Sequence, residues 1–154
     1  MTSGRTPSCE FDTGDLSVRL SAVLSGDVAE VQPAVDRVMA VIADMGCVSG
    51  DEFAVELALL EALANAVEHG CRHDPCKTVQ LCVACDPDRG VLIVVRDPGG
   101  GFDPASLPDV TTGERLYATG GRGIFLINRL MDEVSYEEGG TVIRMRKAPR
   151  RADG

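Results

Sequence analysis

An acid and an amide stand four residues apart in the otherwise apolar stretch Leu57–Val67. They are Glu61 and Asn65, and on a helix they share one face, one turn apart. A carboxylate in so apolar a helix needs a partner, a cation or a water-filled cavity, because burying an unpaired charge is costly. Two glycine clusters follow, at 97–102 and 120–123. Together these are the groups needed to hold a metal-nucleotide.

Glu61 and Asn65 supply what a magnesium-nucleotide needs. Magnesium takes hard oxygen ligands and keeps much of its water, so the Asn65 carboxamide plus phosphates can suffice. Glu61 could then orient or deprotonate a hydroxyl nucleophile. The alternative is structural: Glu61 pairs with an arginine, and Asn65 hydrogen-bonds the backbone.

The glycine clusters also allow two interpretations each. Asp97 ends an apolar run, where it could accept a hydrogen bond from an exocyclic amine such as that of adenine, or could cap its own turn. Gly121-Arg122-Gly123 leads directly into a helix, the form of an anion site. Many helices begin after glycine, however, and the P-loop pattern is absent.

Apolar spacing predicts the helices that position these residues. One spans 28–45 and ends at Gly46. A capping-box pattern at 49–52, with Ser49 as the cap, opens a second helix that ends at Gly70. A short third helix begins at the second glycine cluster.

Alternating and continuous apolar residues predict the strands, which lie near 16–20, 79–83, 91–95, 134–136 and 141–145. Turns, not crossovers, join the neighbouring strands, and 104–119 is a loop. We therefore expect an α+β two-layer fold, with a mixed, mostly antiparallel sheet and helices on one face.

Bulk composition indicates one soluble domain. The 154 residues are 44% hydrophobic, and the net charge of −9 disfavours a nucleic-acid partner. No apolar run approaches the roughly 20 residues of a membrane span, and the N-terminus has no apolar signal core, so we expect a cytoplasmic protein. The predicted divisions are a lead-in, the folded domain and a polar tail: 1–15, 16–147 and 148–154.

Six cysteines without a secretion signal argue for reduced thiols. Cys82 and Cys85 lie three apart on a predicted strand, where they point to opposite faces. The denser group His69, Cys71, His73 and Cys76 leaves a zinc site open as an alternative. The sequence does not decide whether the thiols from Cys71 to Cys85 bind metal or sense redox state.

Three ordered motifs resemble the N, G1 and G2 boxes of the GHKL (Bergerat) ATP-binding fold: Glu61-x-x-x-Asn65-Ala66-x-x-His69-Gly70, Asp97-x-Gly99-x-Gly101-Phe102 and Gly121-Arg122-Gly123-Ile124. The small size, the Asn-Ala-x-x-His-Gly form and the segment 123–132 most resemble the stand-alone bacterial anti-sigma factor serine/threonine kinases. The resemblance covers roughly 16–147.

The resemblance implies a role for each residue. Glu61 would be the general base, or would orient the attacking hydroxyl, and Asn65 would hold Mg²⁺ bridging the phosphates. Asp97 would bind the adenine amino group, with Thr141 behind the adenine. The other cofactor-binding residues would curve around ATP or contact its phosphates beneath the 104–119 lid: Gly99, Gly101, Gly121, Arg122 and Gly123.

The implied function is an ATP-dependent protein-serine kinase. It would phosphorylate a STAS-type anti-anti-sigma protein, sequester an RNA polymerase sigma factor by partner switching, and could form a homodimer. One alternative is a non-catalytic binding switch that uses ATP only to order its lid, and another is a related kinase with a non-sigma output. Glu61 favours catalysis, because a pure binder has no need of that carboxylate.

Overall fold

Five strands and three α-helices are the main elements of the part of the chain that the computed structural model describes, residues 11–14, 16–99 and 121–149. In chain order they are β1 (Ser17–Ser25), α1 (Val31–Met45), α2 (Glu52–Asn65), β2 (Thr78–Asp86), β3 (Gly90–Arg96), α3 (Gly121–Leu130), β4 (Glu133–Glu137) and β5 (Val142–Lys147). None of the helices in these ranges has the length and apolar character that crossing a bilayer requires.

The strands form one sheet in the spatial order β1–β2–β3–β5–β4, and every described pairing is antiparallel. The C-terminal hairpin therefore docks through β5 onto β3, where Arg96 pairs with Val142. This register brings the end of β3 beside the start of β5. The predicted α+β fold with a mostly antiparallel sheet is confirmed.

The main core lies between the sheet and the helices, which cover one face as predicted. Its largest fully buried side chains come from both layers: Ile42, Leu59, Leu63, Leu81, Ile93, Ile127 and Met145. A smaller apolar cluster on the outer face joins Leu92 and Val94 of β3 to Leu16 and Phe11. Both faces of β3 are thus covered, which is why its sequence is a continuous apolar run.

β1 is longer than the sequence predicts. A register shift between Val18 and Leu20 resets the alternation, so that Val18 packs on the outer face while Leu20 and Leu24 face the main core. Such bulges add a residue to one strand and reverse which residues face inward. The alternating pattern at 16–20 therefore captures only the first half of the strand.

The helix ends agree only in part with the predictions. Gly46 ends α1 in the left-handed region, at φ +64°, with its N–H bonded to the Ile42 carbonyl. The capping box with Ser49 as the cap is wrong, because α2 begins at Glu52 after Asp51, which makes no side-chain capping bond. The Glu52 carboxylate instead accepts from the Gly50 N–H at 2.9 Å.

The cysteines lie in different environments. Cys82 belongs to the outer cluster and Cys85 to the main core, so the predicted opposite orientation is confirmed. Cys82 is disulfide-bonded, so the prediction of reduced thiols is wrong at this residue. No three His, Cys, Asp or Glu residues in the described ranges gather as a metal site, so the structure adds no support for the zinc alternative at His69–Cys76.

Candidate nucleotide site

The second helix changes its winding at the end of the polar pair. Asn65 is the last residue of α2, and Ala66–Gly70 continues as a π turn in which the Cys71 N–H bonds to the Ala66 carbonyl at 2.8 Å. The sequence predicts one regular helix to Gly70 and gives no signal for this widening. Single π turns inside helices occur often at functional sites.

Glu61 and Asn65 lie half-buried on α2, surrounded along the helix by the buried residues Ala58, Ala62 and Ala66. Among the described residues, no hydrogen bond or ion pair engages either side chain. The structural alternative for this pair, an arginine partner for Glu61 and a backbone bond for Asn65, is therefore not found there. Within the described ranges, both groups are available to a ligand.

Asp97 follows β3 directly and is held at two points. Its N–H donates to the Thr141 carbonyl at 2.9 Å, which extends the β3–β5 pairing by one rung. Its Oδ1 accepts from the Gly99 N–H at 2.8 Å, the turn that the structural alternative expects. The second oxygen, Oδ2, accepts no hydrogen bond from any described residue.

Close backbone packing brings Asp97 to the end of the π turn. A Cβ built on Gly70 would fall 2.6 Å from Asp97 Oδ1, and one built on Gly99 would fall 2.9 Å from the Gly70 Cα. Real side chains do not approach so closely, so both positions require glycine. The carboxylate therefore lies at the C-terminal end of the helix that carries Glu61 and Asn65.

Burial raises the pKa of Asp97 above the usual value for an aspartate, and the Gly99 N–H partly offsets this effect. Beside it, burial and the Asp97 carboxylate raise the pKa of the Cys71 thiol. A half-buried carboxylate with one oxygen fixed and one free can accept a directed hydrogen bond from a ligand. An exocyclic amine is a suitable donor for that oxygen.

Thr141 lies beside Asp97 through its backbone. Its hydroxyl donates to the Glu138 carbonyl at 2.9 Å, so the side chain closes the turn between β4 and β5. The structure thus brings together Glu61 and Asn65 on one helix, and Asp97, Gly99 and Thr141 at the adjoining strand ends. Their roles stay predictions.

The second glycine cluster forms the first turn of α3, Gly121–Gly123, as predicted. This helix packs against α2, and its Ile127 lies in the core together with Met131, the residue that follows the helix. Gly101 and the predicted 104–119 loop lie outside the described residues. Nothing in the structure therefore tests the predicted phosphate contacts.

Gly70 and Cys71 are site residues whose proximity to Asp97 the sequence does not predict. The sequence predicts that Gly70 ends the helix, but the contact of Gly70 with Asp97 joins two segments that lie far apart along the chain. The closing glycine of the first motif was the available signal. Its role in packing becomes visible only when the strand end is placed against it.

Comparison with known proteins decides the family. Residues 24–147, most of the chain, match the histidine kinase-like ATPase domain. The chain belongs to this family. The predicted GHKL resemblance is thereby confirmed.

Two groups of curated relatives are similar to this histidine kinase-like ATPase. An anti-sigma F factor of Heyndrickxia coagulans is 32% identical over 72% of this chain and 79% of its own length. A serine-protein kinase RsbW of Staphylococcus epidermidis is 36% identical over 60% of this chain and 62% of its own length. The match thus covers less than two thirds of that kinase.

Proposed function

We propose that this chain is an ATP-dependent protein-serine kinase that also acts as an anti-sigma factor. The observation that carries the proposal is the pair Glu61 and Asn65, which no described residue bonds, on an apolar helix whose end contacts Asp97. The ATPase family and the names of the two relatives, one a serine-protein kinase and one an anti-sigma factor, support it.

The adenine end of the site is formed by Asp97 and its neighbours. The Gly99 N–H fixes Oδ1, so Oδ2 accepts from the amino group of adenine. Guanine carries a carbonyl at that ring position and would meet the carboxylate with an acceptor, which selects for ATP. Thr141 lies behind the base and anchors Asp97 through its carbonyl.

The phosphate end lies at Asn65 and the first turn of α3. The carboxamide oxygen of Asn65 fits Mg²⁺, because it is a hard oxygen that no described residue already engages. When bound, the ion would neutralise charge on the phosphates. The N-terminal turn Gly121–Gly123 would add backbone N–H groups and the positive end of the helix dipole.

Transfer needs a base and an aligned acceptor. Glu61 takes the proton from a serine hydroxyl of the partner, and the hydroxyl oxygen bonds to the γ-phosphorus. The bond from that phosphorus to the bridging oxygen breaks, and ADP leaves with the electron pair. The partner gains a phosphoserine. A binding switch without catalysis would not need the Glu61 carboxylate.

The protein substrate that fits the family is a STAS-type anti-anti-sigma factor, and the second partner is a sigma factor. If both compete for one surface, phosphorylation of the first leaves the surface to the second. The net charge of −9 suits a basic sigma helix. This function would place the chain in the cytoplasm, where transcription occurs, and a homodimer stays a prediction.

A phosphotransfer assay tests the proposal. The full chain is incubated with labelled ATP, magnesium and candidate STAS proteins, and phosphoserine is counted. We expect Glu61→Gln to slow transfer by roughly 100-fold or more, since general-base catalysis contributes about that much. Glu56→Gln is the matched control, because Glu56 is also half-buried on α2 but lies off the Glu61 face. Undiminished transfer by Glu61→Gln would contradict the mechanism.

A further inference from the structure

Arg96 ends β3 immediately before Asp97, but its side chain lies on the opposite, outer face of the sheet. Its Nη1 donates to Gln80 Oε1 at 3.2 Å, and its Nη2 pairs with Glu138 Oε2 at 2.6 Å. The Phe11 ring lies over the guanidinium, 4.8 Å from ring centroid to Cζ. Three residues therefore hold the Arg96 side chain. One of them, Glu138, lies in the turn between β4 and β5.

That turn, Glu138–Gly140, joins β4 to β5 with an unusual backbone. Glu138 has φ +51°, and Gly139 and Gly140 follow at +70° and +93°. A side chain in the left-handed region is disfavoured, because its Cβ crowds the backbone. From outside the turn, the Arg96 guanidinium holds the Glu138 carboxylate at 2.6 Å and so fixes the direction of this side chain.

The same turn leads back to Asp97. The Thr141 hydroxyl donates to the Glu138 carbonyl at 2.9 Å, and the Thr141 carbonyl accepts from the Asp97 N–H at 2.9 Å. A closed ring of contacts thus runs from the Arg96 side chain through Glu138 and Thr141 to the residue after Arg96. Its outer half is the ion pair, and its inner half holds the carboxylate proposed to bind adenine.

We propose that Arg96 is a positioning residue for adenine recognition, acting through Glu138 and Thr141 on the orientation of Asp97. The inference rests on the proposed function, in which Asp97 binds the adenine amino group. An ion pair as exposed as this one, at 28% for Arg96 and 55% for Glu138, contributes little to stability. The effect of the ion pair is geometric. It fixes the turn that leads to Thr141, whose carbonyl accepts the hydrogen bond from the Asp97 N–H.

The chain offers a matched control in Arg144. It lies on the outer face of β5, its side chain is 20% exposed, and its Nε is 3.6 Å from Glu137 Oε2. It also hydrogen-bonds the Asp12 carbonyl. Arg144 is thus an ion-paired arginine beside the same hairpin, but its partner is not the residue to which Thr141 bonds.

The test measures base selectivity by calorimetry on the full chain. The dissociation constants of magnesium-ATP and of the triphosphate of purine riboside, which lacks the amino group, give a ratio for each variant. We expect Arg96→Ala to lower the preference for ATP about fivefold, the size of one weakened hydrogen bond. Arg144→Ala should leave the ratio unchanged. The double variant Arg96→Glu with Glu138→Arg should regain most of the loss.

Each outcome separates this inference from the proposed function. If Asp97→Ala leaves the ratio unchanged, the adenine assignment itself is wrong. If Asp97→Ala lowers the ratio but Arg96→Ala does not, or if Arg144→Ala lowers it equally, the positioning role is overturned. Should Arg96→Ala fail to fold, Glu138→Ala removes the same ion pair, and a wild-type ratio in that variant overturns the inference as well.

Discussion

Two helices of this protein each carry an acid and an amide four residues apart, in opposite order and in different surroundings. On α1, the exposed Gln32 donates to Asp36 Oδ1 at 3.0 Å, and each satisfies the other. On α2, Glu61 and Asn65 are half-buried, and no described residue bonds to either. Spacing alone therefore does not indicate function. The half-buried pair on α2, to which no described residue bonds, is the better candidate.

The ends of the two helices differ in the same way. Gly46 ends α1 at φ +64° in open space, where only the backbone conformation requires glycine. Gly70 ends the π turn with ordinary φ, but Asp97 leaves no room for a Cβ. At the end of α1, glycine is needed for the left-handed conformation that ends the helix. At the end of the π turn, glycine is needed because Asp97, at the end of β3, packs against it.

The sharpest test of the comparison removes one amide from each pair. We expect Asn65→Ala to weaken magnesium-ATP binding by roughly 10- to 100-fold, the loss typical of a disrupted metal site. Gln32→Ala should leave ATP affinity unchanged and reduce the unfolding free energy by only about 0.2–0.5 kcal/mol. Calorimetric titration and chemical denaturation measure the two. Equal ATP affinity in both variants would show that the pairs do not differ in function.

A second pair of substitutions compares the helix ends. Gly70→Ala pushes Asp97 from its place, so we expect magnesium-ATP affinity to fall about tenfold, as when one charged hydrogen bond is lost. Gly46→Ala strains the left-handed cap and should destabilise the fold by about 1 kcal/mol without changing ATP affinity. The same titration and denaturation experiments apply. A loss of stability in Gly70→Ala with wild-type affinity would assign Gly70 a purely structural role.

The smallest expected effect concerns the charge on Asp97. Because its folded pKa is raised, Asp97 favours folding below the ordinary carboxyl pKa, and that contribution is lost as pH rises through the raised folded value. Asp97→Asn keeps an acceptor for the Gly99 N–H and removes the buried charge. We expect a slightly higher melting temperature than wild type at neutral pH, no such gain in acid, and weaker ATP binding. A lower melting temperature at neutral pH would contradict the burial argument.

Local patterns in the sequence predicted most of the fold. Apolar spacing located α1 and α2, and the run at 91–95 correctly indicated a strand covered on both faces. The Ser49 cap was wrong, because Glu52 bends back to Gly50 instead. No local sequence pattern indicates the π turn at Ala66–Gly70. The start of α2 and the π turn depend on contacts between side chains and backbone that the spacing of apolar residues does not predict.

The candidate site was predicted as residues, not as contacts. The motifs gave Glu61, Asn65 and Asp97, and the structure added how Gly70 and Thr141 join them. The Arg96–Glu138 pair joins residues 42 positions apart on the outer face, which no motif spans. Gly101 and the 104–119 segment lie outside the described residues, so their predicted roles in the site stay predictions.

The central claim is that no described residue bonds to Glu61 or Asn65 because a nucleotide is their ligand. A crystal structure of the full chain with magnesium and a non-hydrolysable ATP analogue tests it most directly. We predict Asn65 Oδ1 about 2.1 Å from the metal and the adenine amino nitrogen about 2.9 Å from Asp97 Oδ2. A nucleotide bound elsewhere, with Asn65 hydrogen-bonded to the protein backbone, would contradict the claim.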